Sequence, residues 1–143
     1  MVKTYAKGRG LEYDVIHDLK AKGFETMRAA SSAGAMKIDV LAVRPGRGYH
    51  VDEGNMADCV CHSDVLTIQA KFSANIGSVE WNTLLEWSRI IVATPIMAQR
   101  GPRGTKVVYT ELLLPRKFGE RLRPDQYRPY VFRVNSRHDF PHA

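Results

Sequence analysis

Long apolar runs are missing from this sequence of 143 residues. The longest ones, such as Ile90 to Ala93, are much too short to span a bilayer. The N-terminus carries Lys3, Lys7 and Arg9 among scattered apolar residues, so it lacks the apolar region of a secretory signal peptide. We therefore expect no membrane-spanning segment, no membrane partner and a cytoplasmic location.

Cysteine is also scarce, because Cys59 and Cys61 are the only two and lie one residue apart. That spacing is too tight for an ordinary structural disulfide. Together with His50 and His62 they offer ligands to a soft metal ion. A zinc site needs four ligands in a recognisable pattern, however, and no second cluster occurs. We therefore expect neither a disulfide framework nor a structural zinc site.

Acidic charge is scarce in the last third of the chain. Residues 100–143 hold 10 basic and four acidic side chains, whereas residues 1–99 hold 11 of each, so the whole net charge of +6 lies in the C-terminal part. A one-sided basic segment suits a polyanion, because each neutralised phosphate releases condensed counterions. Charge alone does not separate DNA from RNA or membrane lipid, nor a binding surface from a merely solvated one.

The hydrophobic pattern predicts alternating strands and helices in one globular unit. Apolar residues at helical spacing predict a first helix from Gly10 to Lys22, and Gly23 ends this helix. A second helix is predicted at Val79–Ile91, with Ser78 as N-cap and a buried side made of Trp81, Leu84, Leu85, Ser88 and Ile91. The predicted strands are Phe24–Ala30, Ile38–Val43, Val65–Phe72, Ile90–Met97 with Pro95 as a candidate break, Lys106–Leu114 and Tyr130–Val134. The stretch Arg47–Asp64 has no clear period and is predicted as a long hairpin loop between two strands.

Four polar residues stand out against these patterns. Glu12 falls within the apolar arc of the first helix, where an unpaired carboxylate is costly, although acids near a helix N-terminus are also ordinary. Asp39 is the only acid of its strand, where aspartate is disfavoured. Strict alternation in the third strand places Gln69 and Lys71 on the same face.

These residue types suit metal-dependent hydrolysis of a phosphodiester, in which a divalent cation polarises the phosphoryl oxygen and readies a water. Mg²⁺ prefers oxygen ligands, which Asp39, the Gln69 side chain and the Ala70 carbonyl can supply. Glu12 would reach the cation directly or through water. Lys71 would hold or deprotonate the attacking water, or stabilise the phosphate. Each element alone is weak evidence, since a Gln-x-Lys triplet occurs by chance in many proteins.

In their order along the chain, the motifs resemble the archaeal Holliday junction resolvases of the PD-(D/E)xK nuclease superfamily. The similarity covers about residues 3–114 and is carried by Lys7-Gly8-Arg9-Gly10-Leu11-Glu12, Lys22-Gly23-Phe24, Arg28-Ala29-Ala30-Ser31-Ser32, Ile38-Asp39-Val40-Leu41-Ala42 and Gln69-Ala70-Lys71. The resemblance implies an α/β fold of restriction-endonuclease type, with a central mixed β-sheet flanked by helices. It implies one nuclease domain over residues 1–143, with a core at about 3–114 and a basic C-terminal segment at 115–143.

The resemblance also implies Mg²⁺ as cofactor, with Mn²⁺ as a substitute, and a homodimer that makes paired nicks across four-way branched DNA, without a small-molecule substrate. The setting would be the cytoplasm of a prokaryote or of a virus-infected host cell. The implied catalytic residues are Glu12, Ser32 (or Ser31), Asp39, Gln69 and Lys71, and the implied metal ligands are Glu12, Asp39, Gln69 and Ala70. The candidate DNA contacts are Lys7 and Arg9, which match the family's basic N-terminal contacts, and Arg28, Lys37, Arg100 and Arg103.

Two departures from the family leave alternatives open. Gln69 stands where most of the family has glutamate, which removes a negative charge and is typical of Mrr-like restriction endonucleases. The same replacement suits a non-catalytic DNA-binding protein of this fold. Mrr-like enzymes usually carry a separate recognition domain, for which a chain this short leaves little room. The second departure is the insertion Arg47–Asp64, which would cover the DNA, contact a partner subunit or form a tolerated surface loop.

Overall fold

The computed structural model describes residues 2–29, 36–45, 48–52, 55–59, 63–71, 76–102 and 106–132, with side chains described from residue 10 onward and outside 48–52 and 55–59. Two α-helices and eight strands lie in these ranges. In chain order they are α1 (Val2–Ala21), β1 (Glu25–Arg28), β2 (Val40–Arg44), β3 (Gly48–Asp52), β4 (Asn55–Cys59), β5 (Asp64–Ala70), α2 (Ser78–Ile90), β6 (Thr94–Arg100), β7 (Val107–Leu112) and β8 (Tyr127–Pro129).

Six of the strands form one mixed sheet in the order β1-β2-β5-β6-β7-β8. Strands β5 and β6 pair in parallel, and the other neighbours pair antiparallel. A right-handed crossover between parallel strands commonly contains a helix, and α2 occupies that connection here. The predicted α/β fold with a mixed sheet and flanking helices is thereby confirmed. Within the described residues, neither helix is long and apolar enough to cross a membrane.

The two helices cover opposite faces of the sheet. Leu11, Val15 and Leu19 of α1 are fully buried against one face, where they join Leu66 and Ile68 of β5 in one core cluster. Trp81 and Leu84 of α2 form a second cluster with Met97, Leu112 and Ile76. The alternation within β5 therefore sends even-numbered residues toward α1 and odd-numbered residues toward α2.

Helix boundaries differ from the prediction in two ways. Helix α1 begins at Val2, before the predicted start at Gly10, because glycine disfavours a helix by only about 1 kcal/mol and does not forbid it. The N-cap of α2 is Gly77 in extended conformation, without a side-chain cap, so the prediction of Ser78 as N-cap is wrong. Ile91 is 41% exposed, because it is the C-cap residue and has left the helical face.

Strand boundaries differ as well. The fourth predicted strand begins at Thr94, since Ile90 still belongs to α2. Pro95 lies inside β6, but β7 pairs only from Ile96 onward, so the missing N–H of proline leaves no gap on that side. The last strand among the described residues is β8, which lies before the predicted Tyr130–Val134, and residues 133–134 of that prediction fall outside the described ranges.

The insertion between β2 and β5 contains a two-stranded antiparallel hairpin, β3–β4, where a loop was predicted. Its strands have only five residues each and mix polar with apolar residues, and the one alternating stretch, residues 49–52, is too short to stand out as a strand pattern. A buried ion pair closes its base, because the Arg44 guanidinium lies 2.7 Å from the Asp64 carboxylate and also donates to the Lys22 carbonyl at 3.0 Å. The candidate soft-metal ligands Cys59, Cys61, His50 and His62 have side chains outside the described set.

Both helices end in the same hydrogen-bonding motif. After α1, the Gly23 amide donates to Lys20 and the Phe24 amide to Leu19, with Gly23 at φ +92°, so the predicted end of the helix at Gly23 is confirmed. After α2, Val92 and Ala93 repeat these bonds to Arg89 and Ser88, with Val92 at φ +57°. Glycine is the usual residue at this left-handed position, because a branched Cβ is strained there.

We predict that Val92→Gly raises the free energy of unfolding by about 1 kcal/mol, because it removes left-handed strain. The valine side chain is 85% exposed, so the substitution forfeits little apolar burial. Chemical denaturation measures the change, and Gly23→Val at the matched position of α1 is expected to lower the stability. A Val92→Gly protein less stable than wild type contradicts the prediction.

Candidate active site

Asp39 is held between three strands at the point where β2 begins. Its backbone N–H donates to the Ile68 carbonyl and its own carbonyl accepts from the Ala29 N–H, both at 2.8 Å. The Ala70 N–H donates to the carboxylate oxygen Oδ2 at 2.8 Å. The side chain is therefore fixed against the C-terminal end of β5, and Asp39 is only 4% exposed.

Gln69 and Lys71 meet on the face of β5 that α2 covers, as the strand alternation predicts. Nε2 of Gln69 donates to Oε2 of Glu80 at 2.9 Å. Nζ of Lys71 lies 2.8 Å from that same oxygen. One carboxylate oxygen of α2 thus gathers the amide and the ammonium of the Gln-x-Lys motif.

Glu80 is the residue that the sequence reasoning missed. Its place in the positive first turn of α2 accounted for an acid without any site. The only signal for Glu80 in the sequence was its place in the first turn of the helix that follows the strand with Gln69 and Lys71. Hydrogen bonds from Lys71 and Gln69 help to lower the pKa of Glu80, with the Lys71 bond as the largest cause.

Glu12 reaches the site from α1, and Arg28 of β1 neutralises it. The Arg28 Nε atom donates to the Glu12 carboxylate at 2.7 Å, and the guanidinium also lies over the Tyr13 ring. This pair supplies the cation that a carboxylate in the apolar arc requires. The charge of Glu12 acts on Asp39, so the two carboxylates lie within electrostatic range of each other.

Burial raises the pKa of Asp39 to about 6, well above its ordinary value of 3.8. The Ala70 N–H opposes this shift, the charges of Glu12 and Glu80 add to it, and the charge of Lys71 opposes it. A buried carboxylate beside two others is a place where positive charge is stabilised.

The donor set fits a divalent cation. The Oε1 atom of Gln69 is buried and has no hydrogen-bond partner among the described residues. A buried acceptor without a donor is costly, and a cation removes that cost. Asp39 and Glu12 add carboxylate oxygens, and oxygen is the ligand that Mg²⁺ prefers. Among the described residues, no three His, Cys, Asp or Glu side chains come together as a metal site, so the candidate set relies on the amide of Gln69 as well as on the two carboxylates.

The other candidate residues are spread around this centre or lie outside the described part. Lys37 has φ +57°, and its charge helps to lower the pKa of Glu80. Arg100 forms an ion pair with Asp14 of α1, which places it on the α1 side of the sheet. Ser31, Ser32 and Arg103 lie outside the described residues, as do the side chains of Lys7 and Arg9.

A family model of archaeal Holliday junction resolvases (Hjc) matches residues 3–120. The chain belongs to this family. It is a junction-resolving endonuclease, and its partner is branched DNA. The family match therefore supports the predicted resolvase over the Mrr-like restriction endonuclease. The match also reaches slightly beyond the predicted limit of the resemblance at residue 114.

Among solved structures, the resolvase is similar to Hjc from the hyperthermophilic archaeon Archaeoglobus fulgidus, at 21% identity and a TM-score of 0.49. The aligned part covers 72% of this chain and 70% of that one. A search of the curated proteins gives no significant match.

The raised pKa of Asp39 predicts a pH-dependent effect of Asp39→Asn in protein freed of divalent cations. The folded state binds the proton more tightly than the unfolded state, so stability falls as the pH rises from 3.8 to about 6, and the loss is complete above that. Asparagine can still accept the Ala70 N–H but carries no charge. We expect the variant to be more stable than wild type at pH 8, by up to about 3 kcal/mol, and equal to it at pH 3.

Thermal or urea unfolding at both pH values measures this difference. Asp125→Asn, at an exposed position, serves as the control, for which we expect little change at either pH. An Asp39→Asn protein that is less stable than wild type at pH 8 would show that the carboxylate is not under strain.

Proposed function

We propose that this resolvase cleaves four-way DNA junctions with a Mg²⁺ ion held by Asp39, Gln69 and the Ala70 carbonyl. Glu12 would hold the ion directly or through water, and Mn²⁺ would substitute for Mg²⁺. The observation that carries the proposal is the orphaned, buried Gln69 oxygen next to a buried carboxylate of raised pKa. When bound, the ion polarises the phosphoryl oxygen and readies a water for attack.

The chain's own residues prepare this chemistry. The Ala70 N–H fixes Asp39, and Arg28 fixes Glu12, so both carboxylates are oriented before the cation arrives. Pre-oriented groups need no reorganisation during the reaction. Lys71, released from its ion pair or shared with it, brings an ammonium to the phosphate or to the attacking water. Ser32 or Ser31, which follow β1 in the sequence and lie outside the described residues, would add a hydroxyl.

The residues proposed to contact DNA phosphates are Lys7, Arg9, Arg28, Lys37, Arg100 and Arg103, together with basic residues of the C-terminal third. Contacts to phosphates position a duplex without reading its sequence, which suits recognition of a branch by shape. Binding should weaken steeply with salt, because released counterions drive it. The whole chain, residues 1–143, acts as a single nuclease domain in the cytoplasm.

A homodimer completes the proposal. Resolving a four-way junction requires one nick in each of two strands of like polarity, and one chain supplies one set of site residues. A twofold dimer presents two such sets in the symmetry that paired, symmetric nicks require.

The alternative of a non-catalytic DNA-binding protein, which the sequence left open because Gln69 replaces a glutamate, predicts junction binding without cutting. Cleavage of a labelled junction with Mg²⁺ or with EDTA separates the two. Tight binding without cutting in either condition would favour the binding protein. Cutting of linear duplex in preference to the junction would revive the restriction-endonuclease alternative.

We predict that Lys71→Ala and Asp39→Ala each reduce junction cleavage at least about 100-fold, because each removes a group that stabilises the charged transition state. Junction affinity should stay within a few-fold of wild type, since many phosphate contacts remain. Rates under single turnover and affinities in Ca²⁺ measure the two effects. Lys20→Ala, an exposed charge at the end of α1, is the charge-matched control. A Lys71→Ala enzyme that cuts at the normal rate would remove Lys71 from the mechanism.

For the dimer, we predict that mixed wild-type and Asp39→Ala chains nick only one of the two strands of a junction that wild type cuts. A heterodimer has one intact site, so it should release nicked junctions where wild type releases resolved duplexes. Denaturing and native gels of the same reaction distinguish these products, and light scattering gives the mass of the protein. A monomeric mass on the junction contradicts the proposed dimer.

A further inference from the structure

One oxygen atom organises the Gln-x-Lys motif. The Oε2 atom of Glu80 accepts a hydrogen bond from Gln69 Nε2 at 2.9 Å and pairs with Lys71 Nζ at 2.8 Å. Because Glu80 belongs to α2 and the two partners belong to β5 and its end, this contact ties the helix to the strand at the site.

The contact decides which end of the Gln69 amide faces the site. A side-chain amide has a donor end and an acceptor end, and a carboxylate accepts only from the donor end. With Nε2 bound to Glu80, Oε1 must point away from α2, where it is buried without a partner among the described residues. Gln69 is only 4% exposed, so solvent does not compete for either end of its amide.

The contact also decides where the Lys71 ammonium lies. The charge of Lys71 acts on Asp39, which shows that the two groups are close enough to interact. Without Glu80 the ammonium would be drawn to the Asp39 carboxylate, in the place that a cation needs. An ammonium held on Glu80 leaves Asp39 available and reduces the repulsion between Lys71 and an incoming ion.

We propose that Glu80 is a positioning residue of the active site, which turns the oxygen of Gln69 toward the cation and holds Lys71 away from Asp39. The inference rests on the proposed cation site. A purely structural acid in the first turn of a helix would stabilise α2 and would leave cation binding unchanged.

A double-mutant cycle in the cation-free, DNA-free full chain tests the inference. Mg²⁺ is titrated by calorimetry into wild type, Glu80→Ala, Gln69→Glu and the double variant. We expect Glu80→Ala to weaken Mg²⁺ binding by at least about tenfold, as for loss of a group that orients a ligand. In the Gln69→Glu background the same substitution should have a clearly smaller effect, because a carboxylate presents an oxygen in either orientation and only the release of Lys71 toward Asp39 remains. Glu86→Ala, at an exposed position of the same helix, is the matched control.

Thermal unfolding of the same proteins separates positioning from helix stability, since loss of a first-turn acid should lower stability in both backgrounds alike. In cleavage assays, Glu80→Ala should require about tenfold more Mg²⁺ for half-maximal rate, in line with its weaker binding. Equal loss of Mg²⁺ affinity in both backgrounds, or no loss in either, overturns the inference. Asp39→Ala serves to separate the two proposals. If Asp39→Ala abolishes Mg²⁺ binding but Glu80→Ala leaves it intact, only the inference about Glu80 is overturned. If Asp39→Ala leaves Mg²⁺ binding intact, the proposed cation site itself is overturned.

Discussion

The burial of the Asp39 carboxylate is the constraint on which the site depends. Its backbone bridges β1 and β5, and its side chain accepts the Ala70 N–H, so the acid cannot turn toward solvent. Burial then raises its pKa, because the low-dielectric surroundings disfavour the charged form. A folded chain tolerates such a group where function requires it, and the strain is relieved when a positive charge binds.

The remaining charges near Asp39 are already matched. Glu12 pairs with Arg28, and Lys71 pairs with Glu80, so each of these two pairs is neutral, and the charge of Lys37 also acts on Glu80. Each pair joins two different elements, α1 with β1 and the end of β5 with α2. The same ion pairs that balance the charge of the site thus connect it to the helices on the two faces of the sheet. The packing of the helices therefore also orients the proposed metal-binding side chains.

Local signals in the sequence predicted much of this arrangement. Alternation in β5 placed Gln69 and Lys71 together, and Gly23 marked the end of α1, because both signals depend on neighbouring residues. The partners of those residues could not be predicted in the same way. Glu80 meets Gln69 only through the fold of α2 over the sheet, and Arg44 meets Asp64 across the whole insertion. Valine at position 92 gave no stop signal, since glycine or asparagine is the usual residue there.

The resemblance to the family implies a glutamate at position 69, and the amide found there changes what the site requires of its neighbours. A glutamate at position 69 would present equivalent oxygens and bring its own charge. An amide brings no charge, and only its oxygen can bind a cation. A neighbouring group must therefore orient the amide by accepting a hydrogen bond from its nitrogen. Glu80 meets both needs in one group, as an acceptor for Gln69 and a negative charge beside Lys71. Gln69 and Glu80 are therefore best understood as one functional unit that spans β5 and α2, and neither residue can be judged by its own position in the sequence.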